Sequence, residues 1–190
     1  MRVLVVDGTT ERAAALREGL ERAGYTVAAA LESPLELLHA VETTRPDVVV
    51  IHTDSPSRDV LEHIVVMSRD EPRPIVMFAS DDAPEMIRDA VRSGVSAYVV
   101  DGLEPARVKA IVEVAVARFD EHQRLRGQLA QAEQKLEERK LVDRAKGLLM
   151  KSRGMAEAEA YEALRRMAME RGKRIGEVAQ QVIDIGHLLG

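Results

Sequence analysis

Pro46-Asp47-Val48-Val49-Val50-Ile51-His52 carries four consecutive β-branched residues between a proline-acid pair and a polar stop. An alternating strand keeps one wet face, but a run that is apolar at every position has to be covered on both faces, as in the middle of a parallel sheet. Runs of the same kind recur on either side. They are Val3-Leu4-Val5-Val6, Pro74-Ile75-Val76-Met77-Phe78 and Ala97-Tyr98-Val99-Val100, with a weaker one at Tyr25-Thr26-Val27-Ala28-Ala29. Between the first two strands, Ala13, Leu16, Leu20 and Ala23 fall at helical spacing and Gly24 supplies a stop signal. Five βα repeats predict an α/β domain, a doubly wound five-stranded parallel sheet with its working edge at the C-terminal ends of the strands.

The 190 residues suffice for one ordinary domain and a small second one, and 46% hydrophobic content excludes wholesale disorder. Cysteine is absent, which excludes disulfides and thiolate chemistry and fits a reducing compartment. The apolar run after Met1 is too short for a signal peptide or a membrane span, and no other run approaches membrane length. A cytoplasmic protein without membrane association is therefore expected.

Charge is unevenly divided. From Arg139 onward there are eleven basic and seven acidic residues, giving +4, so the remainder carries −9 to reach the whole-chain −5. A basic tail on an acidic body points to a polyanionic partner. With three Tyr, two Phe and no Trp, the chain has little material for an RNA surface built on stacked aromatics. Arg, Lys and backbone groups would have to make the contacts.

Pro105 is a suitable first helical residue, and no proline follows it. Val108, Ile111, Val112, Ala115 and Val116 form the apolar face of the last helix of the α/β body. Beyond Phe119 the sequence turns polar, and Leu125, Leu129, Ala132 and Leu136 follow at spacings of four, three and four. That is a short coiled-coil seam, and it predicts a helical stalk that pairs with a second copy. The expected segments are a body over 1–117, a helical connector over 118–138 and a basic helical module over 139–190.

Three apolar stripes organise that module: Leu141, Val142, Ala145, Leu148 and Leu149; Ala160, Tyr161, Leu164, Met167 and Ala168; Ile175, Val178, Ala179, Val182 and Ile183. Gly154 and Gly172 separate them as left-handed caps, so three short helices forming a bundle are expected, with Tyr161 in its core. Off these stripes, Lys140, Arg144, Gly147 and Lys151 step by four, three and four and share one line on the first helix. A glycine inside a helix costs about 1 kcal/mol relative to Ala. Gly147 between two cations suits the close approach of another backbone, either a neighbouring helix or RNA. Arg165 and Arg166 flank the second stripe and extend the ridge, since guanidinium groups pair with phosphate or stack on an unpaired base.

The strand pattern of the body resembles the receiver domain of response regulators, a flavodoxin-like fold. The resemblance implies acids after the first strand that hold Mg²⁺, a phosphate-accepting Asp at the end of the third, a Thr or Ser after the fourth and a Lys after the fifth. A carboxylate attacks there while the metal and ammonium neutralise the transferred oxygens. This chain departs from the pattern in several places. Asp7 is followed by Gly8 and not by a second acid; His52 stands at the acceptor position, with Asp54 two residues on; Ala79 takes the hydroxyl position, with Ser80 next to it; Asp101 replaces the Lys. These departures predict a pseudo-receiver that binds proteins, with no catalytic residue, metal or cofactor. The alternative is a phosphorylation-dependent switch in which Asp54 or His52 accepts phosphate.

Arg144-Ala145-Lys146-Gly147-Leu148-Leu149-Met150, Ala160-Tyr161, Leu164-Arg165-Arg166-Met167-Ala168 and Val178-Ala179 together resemble an ANTAR domain, which with its coiled coil would span about 124–185. Ala156 departs from that family, where a helix-capping Ser is common, and the loss weakens the second helix start by about 1 kcal/mol. Receiver plus ANTAR resembles the AmiR/NasT group of antitermination regulators. Asp54-Ser55-Pro56-Ser57-Arg58-Asp59, Met67-Ser68-Arg69-Asp70 and the segment from Ser96 to Pro105 are most similar to its nitrate- and nitrite-assimilation branch, in which Asp101 is ordinary. The resemblance implies a non-enzymatic, dimeric protein that binds paired hairpins in leader mRNA, blocks terminator formation and so acts indirectly on the RNA polymerase elongation complex. It also implies control by a nitrate-sensor protein resembling a periplasmic binding protein. The RNA contacts expected are Lys140, Arg144, Lys146, Gly147, Lys151, Arg165 and Arg166. A DNA-binding regulator is the competing binding module, although no recognition helix with Asn, Gln or Arg at its start stands out.

Overall fold

A computed structural model describes residues 1–100 and 105–189, apart from the side chains of residues 10, 11, 105 and 187–189. Strands β1 (Arg2–Asp7), β2 (Thr26–Leu31), β3 (Val48–Thr53), β4 (Ile75–Ala79) and β5 (Ala97–Val100) form one sheet in the order β2-β1-β3-β4-β5, with every pairing parallel. The central strand predicted from four β-branched residues is indeed interior, and Val48, Val49, Val50 and Ile51 have no exposed surface.

Alternate strand residues divide the core into two layers. Val3, Val5, Val48, Val50, Val76 and Phe78 pack against Leu16 and Leu20 of α1 (Thr10–Arg22) and Val108, Val112 and Ala115 of α5 (Pro105–Arg153). On the opposite face, Leu4, Val6, Val49, Ile51, Ile75 and Met77 meet α2 (Leu37–Thr44), α3 (Arg58–Asp70) and α4 (Pro84–Ser93) through Leu37, Val41, Ile64, Met67 and Ala90. The sheet register sets Asp7 beside His52 and Thr53 beside Ala79, so the C-terminal ends of β1, β3 and β4 meet at one edge.

The chain divides into two units, Met1–Gln123 and Arg124–Gly190. Helix α5 is a single 49-residue element, the long helix expected from the proline-free stretch after Pro105. Its interior holds no proline, and the Glu, Arg, Gln, Leu and Ala that fill it are good helix formers. Leu125, Leu129 and Leu136, the leucines of the predicted seam, stand 49%, 60% and 53% exposed in the single chain.

In the second unit, the end of α5 packs with α6 (Glu157–Arg171) and α7 (Ile175–Leu189) around Val142, Ala145, Leu149, Ala160, Leu164, Ala168, Val178, Ala179 and Ile183. Gly154 and Gly172 adopt left-handed φ values of 66° and 59° where the helices end, as expected. The start of α6 has half a capping box. The Glu159 carboxylate accepts from the Ala156 N–H at 2.9 Å, while Ala156 has no hydroxyl to return the bond. At the start of α7, Gly176 N–H donates to Glu138 Oε1 at 3.3 Å, and a Cβ at Gly176 would lie only 2.9 Å from Glu138 Cγ. The glycine lets a carboxylate from α5 reach the electropositive end of α7. Tyr161 corrects an expectation. It is 44% exposed and outside the core, because Ala160 and Leu164 already fill the inward positions of α6.

Candidate nucleic-acid interface

Lys140, Arg144, Gly147 and Lys151 are all exposed along α5, as are Arg165 and Arg166 on α6. Lys140 Nζ is 2.6 Å from Glu137 Oε1, and Arg165 Nη1 is 3.5 Å from Glu162 Oε1. Exposed pairs of this kind on one helix contribute little and exchange readily with other partners. Arg144, Lys151 and Arg166 make no ion pair or side-chain hydrogen bond among the described residues. Nothing lies within 4 Å of where a Gly147 Cβ would be, so no neighbouring helix accounts for that glycine. It forms part of a shallow depression lined by Arg139, Asp143, Lys146, Gly147, Met150 and Glu157.

Lys146 is placed differently from the other cations. Its side chain is only 14% exposed and its ammonium sits 2.7 Å from Asp143 Oδ1 and 2.8 Å from Glu157 Oε1. It braces α5 against the first turn of α6. The hydrogen bond from Lys146 holds the Asp143 carboxyl below the usual carboxylate range, and the bonds to Asp143 and Glu157 push the Lys146 ammonium up. Tyr161, which sequence patterning assigned to the core, is instead one helical turn from Arg165 on the surface of α6. An amphipathic tyrosine on the border of an apolar stripe satisfies either placement, so spacing alone could not decide.

The receiver-like edge brings together Asp7, His52 and Asp54. Asp7 is the buried charged residue of the described chain, and its side chain has no exposed surface. Thr9 N–H donates to Asp7 Oδ1 at 2.8 Å. His52 Nδ1 lies 3.2 Å from Asp7 Oδ2, a close approach without the alignment of a hydrogen bond. Asp54 is in the loop after β3 and 73% exposed. Arg12, which no sequence motif singled out, joins them from the first turn of α1. Its Nη1 donates to Asp54 Oδ1 at 3.0 Å, its Nη2 donates to Thr9 Oγ1 at 2.7 Å, and its Nε is 3.8 Å from Asp7 Oδ1. Ala79 closes β4, buried and without a hydroxyl. Asp101 lies outside the described residues.

The Mg²⁺ implied by the receiver pattern does not fit these residues. A magnesium ion demands near-octahedral oxygen ligands at about 2.0–2.1 Å. Gly8 offers no second carboxylate, His52 supplies nitrogen where a carboxylate belongs, and Arg12 brings positive charge between the remaining acids. Among the described residues, no three His, Asp or Glu side chains are grouped to hold a metal.

Comparison with known proteins agrees with this two-part description. The response regulator receiver domain family matches residues 3–113, and the ANTAR domain family matches residues 130–183. The chain belongs to the response regulators that join a receiver to an ANTAR domain, the AmiR/NasT type. Among its relatives is the transcriptional regulatory protein PdtaR of Mycobacterium tuberculosis, 31% identical over 183 residues that span 96% of this chain and 89% of that protein. The nitrate regulatory protein of Klebsiella oxytoca is 40% identical over 77 residues, 40% of this chain and 19% of that protein. Two solved receivers share the fold. One is from a modulated diguanylate cyclase of Desulfovibrio desulfuricans G20, with TM-score 0.56 and 22% identity over 64% of this chain and 97% of that one. The other is from the response regulator NarL of Mycobacterium tuberculosis, with TM-score 0.54 and 20% identity over 60% of this chain and 94% of that one. No helix among the described residues is long and apolar enough to cross a membrane.

Proposed function

We infer that the protein is an RNA-binding antiterminator whose ANTAR unit grips hairpins in leader mRNA and keeps a terminator from forming. The observation that carries this reading is the line of cations Arg144 and Lys151, unpaired among the described residues, with bare helix backbone at Gly147 between them. Cations without protein partners keep their full attraction for phosphate, and a glycine lets a nucleic-acid backbone come close. Arg166 and Arg165 add cations on α6, and the exposed ring of Tyr161 offers a face on which an unpaired loop base can stack. Lys146 supports the ridge through its brace more than it contacts RNA. The exposed leucine seam of α5 suits a homodimer that holds two hairpins.

The degenerate receiver supports control by a partner protein and not by phosphate. The resemblance of residues 54–59, 67–70 and 96–105 to the nitrate- and nitrite-assimilation branch favours those genes as targets, a cytoplasmic site of action, and a nitrate sensor resembling a periplasmic binding protein as that partner. The partial match to the nitrate regulatory protein of Klebsiella oxytoca is in keeping with the choice of genes. On this reading RNA polymerase is influenced indirectly, through the folding of the leader transcript. The test is a parallel gel shift of the full chain with a synthetic two-hairpin RNA and a DNA duplex of matching sequence. Retarded RNA with unretarded DNA is expected; the reverse would replace the reading with a DNA-binding one. Crosslinking to cellular RNA, followed by sequencing of the bound transcripts, then identifies the operon.

A further inference from the structure

Asp7 poses an electrostatic problem that the receiver edge has to solve. A carboxylate with no exposed surface is strongly disfavoured as an anion unless charge and hydrogen bonds surround it. The receiver pattern implies a metal ion there, but here the Arg12 side chain lies against both Asp7 and Asp54. One Asp7 oxygen receives the Thr9 N–H at 2.8 Å and has Arg12 Nε at 3.8 Å; the other faces His52 Nδ1 at 3.2 Å. Arg12 also spans to Asp54 Oδ1 at 3.0 Å. A cation in the first turn of a helix opposes the helix dipole, so the two carboxylates are what make this position favourable.

We propose that Arg12 is the pocket's built-in cation, taking the charge-balancing place of a divalent ion between Asp7 and Asp54 and thereby excluding metal from the receiver. The inference rests on the reading of the receiver as phosphorylation-independent and supplies its physical basis. Arg12 does more than neutralise charge. Through Thr9 and Asp54 it ties the start of α1 to the loop after β3, and the main chain of that loop is tied in turn to the loop after β4, where Ser80 and Asp81 N–H groups donate to Asp54 O at 3.0 Å. Three loops at the edge where a phosphoryl group would be read are thus held together by the protein's own side chains and backbone.

The test uses the full-length chain and Mn²⁺, whose free-ion paramagnetic resonance signal falls on binding. The wild-type protein is expected to leave that signal unchanged. Arg12→Ser frees two carboxylates facing one space and is expected to bind Mn²⁺ at least about tenfold more tightly than wild type. Asp7→Asn added to Arg12→Ser should abolish the gain. Wild-type binding as tight as that of Arg12→Ser, no gain in Arg12→Ser while it remains folded by circular dichroism, or a gain that survives Asp7→Asn would each overturn the proposal. A separate arm with acetyl phosphate and Mg²⁺, read by intact mass on the wild-type protein, tests phosphorylation independence itself. Phosphate addition there would sink that broader reading, whereas the Mn²⁺ titrations bear on Arg12 alone.

Discussion

In the receiver, Arg12 reaches Asp54 at 3.0 Å and lies 3.8 Å from Asp7, whereas in the ANTAR unit Arg144, Lys151 and Arg166 pair with no carboxylate among the described residues. The two regions carry similar residue types and differ in where their charge is balanced. Placing the protein's own guanidinium between two carboxylates leaves little drive for an outside ion to enter. Leaving cations unpaired on a helix face keeps them available to a polyanion, and it makes their binding sensitive to salt. The difference teaches that counting charged residues says less about function than asking which of them already have partners.

Tyr161→Ala offers the largest expected effect on this contrast. Loss of a stacked loop base costs about 1–3 kcal/mol in RNA affinity, and Tyr161→Phe should retain most of it. Fluorescence anisotropy with a labelled two-hairpin RNA measures both variants. Equal affinity for Tyr161→Ala and wild type would confine the interface to the cations.

Lys146→Met sharpens the comparison within the ANTAR unit. Because Lys146 is already paired with Asp143 and Glu157, its loss should leave the salt dependence of RNA binding unchanged; a true phosphate contact would lower the slope by about 1. The same variant should change the response to acid. The Asp143 carboxyl is held low by Lys146, so its stabilising pair is present above the ordinary carboxylate value and is lost as pH falls through the depressed one. Lys146 is held high, so its contribution is present below the ordinary lysine value and is lost as pH rises through the raised one. Thermal unfolding followed from neutral to acidic pH should therefore fall less steeply in Lys146→Met than in wild type.

The smallest expected effect lies in the receiver. Asp54→Asn should leave hairpin affinity within about 0.5 kcal/mol of wild type, as for a surface change away from the ligand. A large loss in the same anisotropy assay would show that the receiver edge signals to the RNA site through Asp54.

Much of this arrangement was legible in the sequence where the cause was local. The uninterrupted Val48–Ile51 run required a doubly covered strand, and the stripe from Val108 to Val116 marked the helix face that packs on the sheet. Gly154 and Gly172 marked their turns because few other residues accept a left-handed backbone. What stayed hidden depended on partners distant in the chain. Arg12 and Asp54 are 42 positions apart and meet only because β1 and β3 are neighbours. Lys146 carries the same charge as its neighbours on α5, and only the placement of Glu157 at the start of α6 shows that it is engaged. The continuity of α5, by contrast, was legible, since no proline follows Pro105 and the backbone has no reason to stop where the apolar face ends near Val116.

The most direct measurement is the salt dependence of two-hairpin RNA binding by the full-length protein and by Arg144→Ala/Lys151→Ala. If these cations hold phosphates, the plot of log affinity against log salt becomes shallower by roughly 1.4–1.8 in the double variant, and affinity at low salt drops. An unchanged slope and affinity, with the variant still folded, would contradict the assignment of the α5 ridge as the RNA-binding surface.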